Sequence, residues 1–302
     1  MTMGSDKGMS PPLFKIAVGI ATKGRPRILI ETLRELERQT RMPDRILVCY
    51  SAPEDVDGAH AMCGVELLPG PIGSCCQRNT IIDAAQGCDA ILFFDDDFLP
   101  TPHYLAATVA AFLSAADIVV TTGRVIADGT KGPGINLEAA RELLARDEWA
   151  GDWPGVTPRW SGYGCNMAVR LCAARKHDIR FDERLPLYAW YEDIDFTRRM
   201  ATHGRVVHVA AASGVHLGVK SGRTSGLRLG YSQVANPIYL SRKGSYPRDH
   251  AFRSIGRHLL ANLVRSAWPE FHVDRRGRAT GNILALLDLL RGRLAPERIL
   301  DL

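Results

Sequence analysis

The sequence lacks the features that mark membrane-spanning, secreted and zinc-binding proteins. None of its 302 residues lies in an apolar run approaching the roughly 18 that a membrane-spanning helix needs. Residues 1–10 lack the apolar core of a signal peptide. The seven cysteines form no Cys-x-x-Cys pair and no cluster with histidine at zinc spacing. We therefore expect a cytoplasmic protein with reduced thiols.

Most of the chain also has little net charge. The formal charge is +5, but residues 241–302 contain twelve Lys and Arg against six Asp and Glu, so residues 1–240 carry only −1. A nucleic-acid-binding body is therefore not expected. The basic segment 241–302 predicts contact with anionic lipid at the membrane surface or with an acidic partner, and a solvated helical tail is the alternative.

Apolar strands alternate with amphipathic helices through the first half of the chain. Strands are predicted over 13–20, 45–50, 65–68 and 91–95, and helices over 28–39, 75–86 and 101–115, with a further helix over 137–149. This alternation predicts an α/β fold with a mostly parallel sheet and helices on both faces. We expect a flexible N-terminus over 1–12, a catalytic domain over 13–240 and a basic helical extension over 241–302.

Three consecutive carboxylates, Asp95, Asp96 and Asp97, follow the buried strand at 91–95. Ligands of open α/β sheets lie at strand ends, and a divalent cation bound by oxygen ligands would offset the repulsion among the acids. A solvated surface run is the alternative. Because the acids come directly after a buried strand, the pattern favours metal-dependent phosphate chemistry.

Two further polar segments of the first half could contact a nucleotide. Thr22-Lys23-Gly24-Arg25-Pro26 joins the first strand to the first helix, and such a turn suits phosphate binding. It is not a Walker loop, and Lys23 and Arg25 could equally be solvated. Arg78 lies near the start of the helix predicted over 75–86, where it could pair with phosphates or point outward to solvent.

The second half contributes a glycine-rich segment, an acidic pair and a histidine loop. The segment Trp160–Asn166 precedes an apolar stretch, and Glu192-Asp193 falls at the start of a helix predicted over 194–203. A helix N-terminus stabilises carboxylates and would keep them ionised as bases. His216 follows a strand predicted over 206–211, in a Gly/Ser loop with Lys220 and Arg223 that suits closing over phosphate.

Taken in order, these motifs resemble those of the family 2 inverting glycosyltransferases, whose catalytic domain has the GT-A fold. The resemblance runs from about Phe14 to Arg223. It implies that the segment from Thr22 to Pro26 is the first nucleotide-binding loop. It also implies that Arg78 and Asn79 approach the nucleoside.

The resemblance implies roles for the remaining motifs. The triplet Asp95 to Asp97 matches the Asp-x-Asp that holds the sugar nucleotide and its metal, with Asp97 and His216 as ligands of Mn²⁺ or Mg²⁺. Trp160, Gly162, Gly164 and Asn166 would lie beside the donor sugar and the acceptor. Asp193 would be the general base, and Glu192 would hold the acceptor or orient Asp193.

The implied partners are a nucleoside-diphosphate sugar donor and a glycan or lipid-linked acceptor of the cell-surface polysaccharide type. The sequence departs from the family at the end of the second strand, where Cys49-Tyr50-Ser51 replaces the usual nucleoside-binding Asp. The resemblance therefore does not assign the base. A sugar nucleotidyltransferase would need a longer loop than Thr22–Pro26, and a non-catalytic relative would be expected to lose Asp95, Asp97 or Asp193. The apolar residues of 283–290 suit either an interfacial helix or one packed on the catalytic domain.

Overall fold

A computed structural model describes residues 13–149, 151–221, 225–268 and 270–302, so the predicted flexible N-terminus lies outside the described residues. The strands are β1 (Ile16–Ala21), β2 (Arg45–Tyr50), β3 (Val65–Pro69), β4 (Ala90–Asp95), β5 (Phe98–Pro100), β6 (Ile118–Asp128), β7 (Val156–Pro158), β8 (Asn166–Arg170) and β9 (Arg205–His216). The helices are α1 (Pro26–Leu36), α2 (Ser74–Ala84), α3 (Tyr104–Ser114), α4 (Leu137–Ala145), α5 (Leu171–Lys176), α6 (Glu192–Met200), α7 (Gly226–Lys243), α8 (Arg248–Ala267) and α9 (Arg275–Leu290).

These strands form one mixed sheet in the order β3-β2-β1-β4-β8-β6-β9-β5, with β7 added on β9. Strands β1 to β4 pair in parallel, and β8 runs antiparallel between β4 and β6. The predicted α/β class with a mixed sheet between helices is confirmed. The continuous apolar runs of β1 and β4 are explained by burial on both faces.

Each face of the sheet packs against its own helices. On one face Val18 and Leu92 belong to the same cluster as Leu29 and Leu33 of α1. On the other face Phe93 packs in a cluster that contains Ile81 of α2. Successive side chains of a strand point to opposite faces, so each strand supplies both clusters.

The strand register brings the polar segments to one edge of the sheet. Ala21 of β1 lies beside Asp95 of β4, so the loop from Thr22 and the acidic triplet start at the same level. His216 of β9 pairs with Phe98 of β5 on one side and with Asp128 of β6 on the other. Residues far apart in sequence therefore converge at this edge.

Two local predictions were wrong. The strand predicted over 206–211 continues to His216, because β9 keeps pairing with β5 and β6 beyond residue 211. His216 is therefore fixed in the sheet and does not lie on a flexible loop. The helix predicted over 137–149 ends at Ala145, and Arg146 takes the C-cap position.

The C-terminal helices pack together and against the catalytic domain. Tyr231 and Val234 of α7, Ile255 of α8 and Ala285 of α9 share one apolar cluster. The boundary predicted after residue 240 lies inside α7, which begins at Gly226. Within 283–290, Leu284 and Leu286 pack beside Ala285, whereas Ile283, Leu287 and Leu290 are exposed, so neither interpretation applies to the whole segment. Across the described ranges, none of the helices is both long enough and apolar enough to cross a membrane.

Candidate active site

The acidic triplet divides between support and ligand binding. Asp96 is fully buried, and its Oδ2 accepts hydrogen bonds from Thr22 Oγ1 at 2.7 Å and from Arg25 Nε at 3.2 Å, while Arg25 Nη2 lies 2.5 Å from Oδ1. Its backbone oxygen accepts from Thr32 Oγ1 at 2.7 Å. Burial raises the pKa of Asp96 to about 7, although Arg25 opposes this change. Thr22, Arg25 and Asp96 contact one another, which holds the first loop in shape, and their nucleotide contacts stay a prediction.

Asp95, Asp97 and His216 form a group that could hold a metal ion. One ligand atom from each lies within 4.8 Å of the others. His216 Nε2 is 3.3 Å from Asp97 Oδ1 and 3.7 Å from Asp95 Oδ2. The other oxygen of Asp97 accepts from the backbone N–H of Val219, so Oδ1 faces the group. The predicted ligands Asp97 and His216 meet here, and Asp95 joins them.

Asp128 supports the histidine and was missed by the sequence reasoning. His216 Nδ1 lies 3.2 Å from Asp128 Oδ1, and the other Asp128 oxygen accepts from Tyr163 OH at 3.0 Å. Burial lowers the pKa of His216, but the charge of Cys165 and hydrogen bonds with Asp128 and Asp97 outweigh it and raise that pKa well above its ordinary value. A histidine whose second nitrogen faces a carboxylate is the usual arrangement of a metal ligand. The donor set of two carboxylates and one imidazole therefore fits Mn²⁺ or Mg²⁺.

Arg78 connects the metal group to the acidic pair of α6. Its side chain is buried, with Nη1 donating to Glu192 Oε1 at 2.6 Å and Nη2 donating to Asp95 Oδ1 at 3.1 Å. Nη2 also donates to the backbone oxygen of Gly164 at 2.9 Å. Of the two orientations left open by the sequence, the inward one is present.

Glu192 and Asp193 lie in the first turn of α6. Asp193 Oδ2 accepts from the N–H of Gly164 at 2.9 Å, and Oδ1 accepts from the N–H of Ile194 at 2.8 Å. Burial raises the pKa of Asp193, and these backbone bonds oppose it. Burial also raises the pKa of Glu192, and the ion pair with Arg78 acts against it. A Cβ at Gly164 would lie 3.3 Å from Glu192 Oε1, so this position leaves little room for a side chain.

Asn79 and Asn166, whose ligand contacts stay a prediction, are hydrogen-bonded to neighbouring protein groups. Asn79 exchanges hydrogen bonds with the backbone of Phe181. Asn166 Oδ1 accepts from Thr122 Oγ1, and Nδ2 donates to the backbone oxygen of Gly123. Both side chains are buried, and these bonds satisfy amide groups that would otherwise be costly to bury.

The remaining predicted residues are spread around the site. Trp160 packs against Tyr246 and His250 outside the cavity described below. Gly162 lines that cavity, with its N–H donating to Thr197 Oγ1.

Lys23 is exposed on its loop, and Lys220 Nζ donates to the backbone oxygens of Gly129 and Thr130. Arg223 lies outside the described residues. Asp55, near the family's usual nucleoside contact, accepts from the N–H groups of Gly24 and Ala52 and joins two loops.

A cavity of about 1000 Å³ opens over these groups. Its floor includes Arg78, Asp95, Glu192, Asp193 and His216. The helices α7 to α9 complete the wall with Leu229, Gln233, His258, Arg275 and Arg278. The C-terminal extension is therefore part of the site.

Sequence comparison assigns the family. The family described as "Glycosyl transferase family 2" matches residues 17–179, more than half of the chain, so the chain belongs to it. It is also 28% identical over 235 residues to YwdF of Bacillus subtilis (strain 168), an uncharacterized glycosyltransferase, covering 76% of this chain and 84% of the relative. The chain is a glycosyltransferase.

Solved structures show the same fold. The mannosyltransferase PcManGT from Pyrobaculum calidifontis, in complex with GDP-Man and Mn²⁺, matches with a TM-score of 0.56 and 15% identity, over 92% of this chain and 88% of that one. S. aureus TarS 1-349 matches with a TM-score of 0.50 and 15% identity, over 92% of both chains. The expected GT-A fold is confirmed.

Proposed function

We propose that this enzyme is a metal-dependent inverting glycosyltransferase. It moves a sugar from a nucleoside-diphosphate sugar to a hydroxyl of a glycan or lipid-linked saccharide. One observation carries the proposal: Asp193, Asp95 and His216 line the same cavity, Asp97 groups with Asp95 and His216, and Arg78 contacts both Asp95 and Glu192. A base and a candidate metal site within one space are what this transfer needs.

Asp193 is the general base. The acceptor hydroxyl is a very weak acid, so a carboxylate must take its proton as the oxygen attacks the anomeric carbon. The new C–O bond forms as the bond to the diphosphate breaks, the proton passes to Asp193, and the configuration inverts. Glu192 accepts a hydrogen bond from Arg78 and orients its guanidinium. Asp193 is therefore the carboxylate that accepts the proton.

Asp95, Asp97 and His216 would hold the cation. When bound, a divalent ion offsets the negative charge that develops on the leaving diphosphate. The imidazole favours Mn²⁺ over Mg²⁺, since Mg²⁺ prefers oxygen ligands alone. The Mn²⁺ in the PcManGT structure supports this choice. Asp128 holds His216 in the orientation that leaves Nε2 toward the cation.

An aromatic wall suits a saccharide acceptor. Tyr188, Trp190 and Tyr191 line the cavity beside the acidic pair. Among the residues that the structure describes, Trp190 Nε1 is buried without a hydrogen-bond partner. A sugar hydroxyl in the cavity would accept this N–H, while the sugar's apolar face would pack on the rings.

The outer face of α8 suits a membrane surface. Phe252, Leu260, Val264 and Trp268 are exposed at multiples of four residues, with Phe252 71% and Trp268 78% exposed. Each step of four residues rotates by about 40°, so these side chains spread over roughly 160° of the helix circumference and form a broad apolar face. The basic residues of 241–302 supply charge for anionic lipid. The enzyme would then act at the cytoplasmic face of a membrane, in polysaccharide assembly.

The proposal is tested by nucleotide binding. Thermal unfolding is measured with a panel of nucleoside diphosphates and nucleotide sugars, with and without Mn²⁺. A bound donor stabilises the folded state by mass action, by about 2.7 kcal/mol at a hundredfold excess over Kd. We expect Asp97→Ala to abolish the Mn²⁺-dependent stabilisation and the exposed control Asp57→Ala to retain it. If the Mn²⁺-dependent stabilisation of Asp97→Ala equals that of the parent, Asp97 is not a metal ligand.

A further inference from the structure

A second, basic cavity adjoins the active site at the wall made by the C-terminal helices. It has a volume of about 370 Å³. Its charged lining residues are Lys131, Lys220, Arg265, Arg275 and Arg278, and no acid lies among the described lining residues. Lys131, Arg275 and Arg278 line both cavities, so the two are neighbours.

The central cation of this basic cavity is held in a defined orientation. Arg275 Nε donates to Glu270 Oε2 at 2.6 Å, and Nη1 donates to Asn262 Oδ1 at 3.2 Å. Its side chain is only 11% exposed. Asn262 is itself buried and bonded to Asn282 of α9. A guanidinium fixed in this way loses little conformational freedom when an anion binds.

The nearby carboxylate leaves the cavity positive. Glu270 accepts from Arg265 and Arg275 together, so it offsets about one of their two charges. Lys131, Lys220 and Arg278 add further positive charge to the cavity. Lys220 Nζ donates to the backbone oxygens of Gly129 and Thr130. A concave surface concentrates the potential of such charges and favours an anion.

We propose that the basic cavity binds a phosphate group of the acceptor, so the acceptor is a phosphorylated saccharide. This inference rests on the proposed function and specifies its acceptor. The donor's diphosphate would be neutralised by the cation that Asp95, Asp97 and His216 would hold. Arg275 and Arg278 instead line the wall that the C-terminal helices add to the cavity containing Asp193. Phosphate recognition by Arg is geometrically specific, which suits selection of an acceptor.

The test uses the full chain with Mn²⁺ and a saturating nucleoside diphosphate, so that the donor site is filled. Phenyl phosphate is then titrated by calorimetry, with phenol as the neutral control. We expect saturable binding of phenyl phosphate that weakens with added salt, and none of phenol. The double variant Arg275→Gln/Arg278→Gln should lose about tenfold in affinity, equivalent to about 1.4 kcal/mol. Arg276→Gln removes the same charge from the exposed side of α9 and should bind as the parent does.

A second double variant is used in case loss of the Arg275 ion pair unfolds the helices. Lys131→Gln/Arg278→Gln leaves Arg275, Glu270 and Asn262 intact and should weaken phenyl phosphate binding in the same direction. If the protein binds the nucleotide but not phenyl phosphate, this inference fails while the proposed function stands. The inference is overturned if both double variants bind phenyl phosphate like the parent, or if the nucleoside diphosphate competes with phenyl phosphate.

Two sources of the phosphate are distinguished with vesicles. Neutral phosphatidylcholine vesicles are compared with and without a small fraction of prenyl phosphate. Retention that requires both prenyl phosphate and the two arginines identifies a carrier lipid. Binding of soluble phenyl phosphate alone identifies a soluble phosphorylated glycan. Binding of neither overturns the inference.

Discussion

At the scale of single residues, Asp96 and Asp97 show how neighbours in one motif take different roles. Asp96 is turned toward Thr22 and Arg25 and holds the first loop. Asp97 faces His216, and although burial opposes ionisation, the contact with His216 lowers the pKa of Asp97 to about 2. An ionised carboxylate beside an imidazole can bind a cation, whereas both oxygens of the buried Asp96 already contact Thr22 and Arg25.

The role of Asp193 leads to a kinetic prediction. Asp193→Asn keeps the shape of the side chain but removes its ability to take a proton, so we expect turnover to fall about 10²–10⁴-fold. Donor binding, measured by calorimetry with Mn²⁺, should change little. The exposed Asp57→Asn serves as the matched control. Turnover of Asp193→Asn at the parent's rate would reject Asp193 as the base.

The burial of Asp193 also predicts the form of the pH profile. Burial raises the pKa of this carboxyl above its ordinary value, and only the ionised form accepts a proton. The ratio kcat/KM should therefore rise with pH through that raised pKa and fall as the pH is lowered through it. The residual activity of Asp193→Asn should not show this fall in kcat/KM at low pH. If the fall is unchanged, it reports the titration of another group.

At the scale of elements, α7 and α9 cross in close backbone contact at two glycines, one on each helix. A Cβ at Gly281 would lie 2.0 Å from the backbone oxygen of Leu227, and one at Gly230 would lie 2.1 Å from that of Arg278. The backbones therefore approach too closely for any side chain. This crossing positions Arg275 and Arg278 against the cavity, so the site depends on it.

The crossing is tested by a matched pair of alanine substitutions. Gly281→Ala forces the two helices apart, and we expect it to lower the free energy of unfolding by about 1–3 kcal/mol. Gly256→Ala adds its Cβ to open space on α8 and should raise the free energy of unfolding by about 0.5–1 kcal/mol, through helix propensity. Denaturant unfolding measures both. Equal effects of the two substitutions would contradict the close crossing.

At the scale of the whole molecule, charge and exposed apolar surface are concentrated in the C-terminal helices. Residues 241–302 carry a formal charge of +6, against −1 for the rest of the chain. The exposed side chains of α8 lie on the same segment. One end of the molecule thus combines both attractions that hold a protein at an anionic membrane surface.

Membrane contact is tested by sedimentation with vesicles containing anionic lipid. At low salt we expect the parent to be retained, with release as salt screens the charges. Phe252→Ser/Trp268→Ser should lose most of the retention, because these side chains supply the apolar contact. Leu113→Ser, an exposed apolar residue of α3, is the control. An unretained parent would rule out this surface as a membrane contact.

Local chemistry sufficed to predict much of the fold. The apolar runs marked β1 to β4 and the periodicity marked α1 to α3, since these signals lie in adjacent residues. The acidic triplet and the pair Glu192-Asp193 marked the site for the same reason. Asp128 gave no such signal, because its role depends on the pairing of β6 with β9.

By itself, the sequence determined the family, the α/β class and the acids at the strand and helix ends, because motifs and periodicity are properties of neighbouring residues. Tertiary structure sets which acids face the candidate metal group and which face neighbouring protein groups. In the folded chain Asp96 is buried, and Asp128 lies beside His216. Asn79 and Asn166 form buried cross-links, and the cations of α8 and α9 line the cavity. Those outcomes depend on strand register and helix crossing, which join residues distant in the chain.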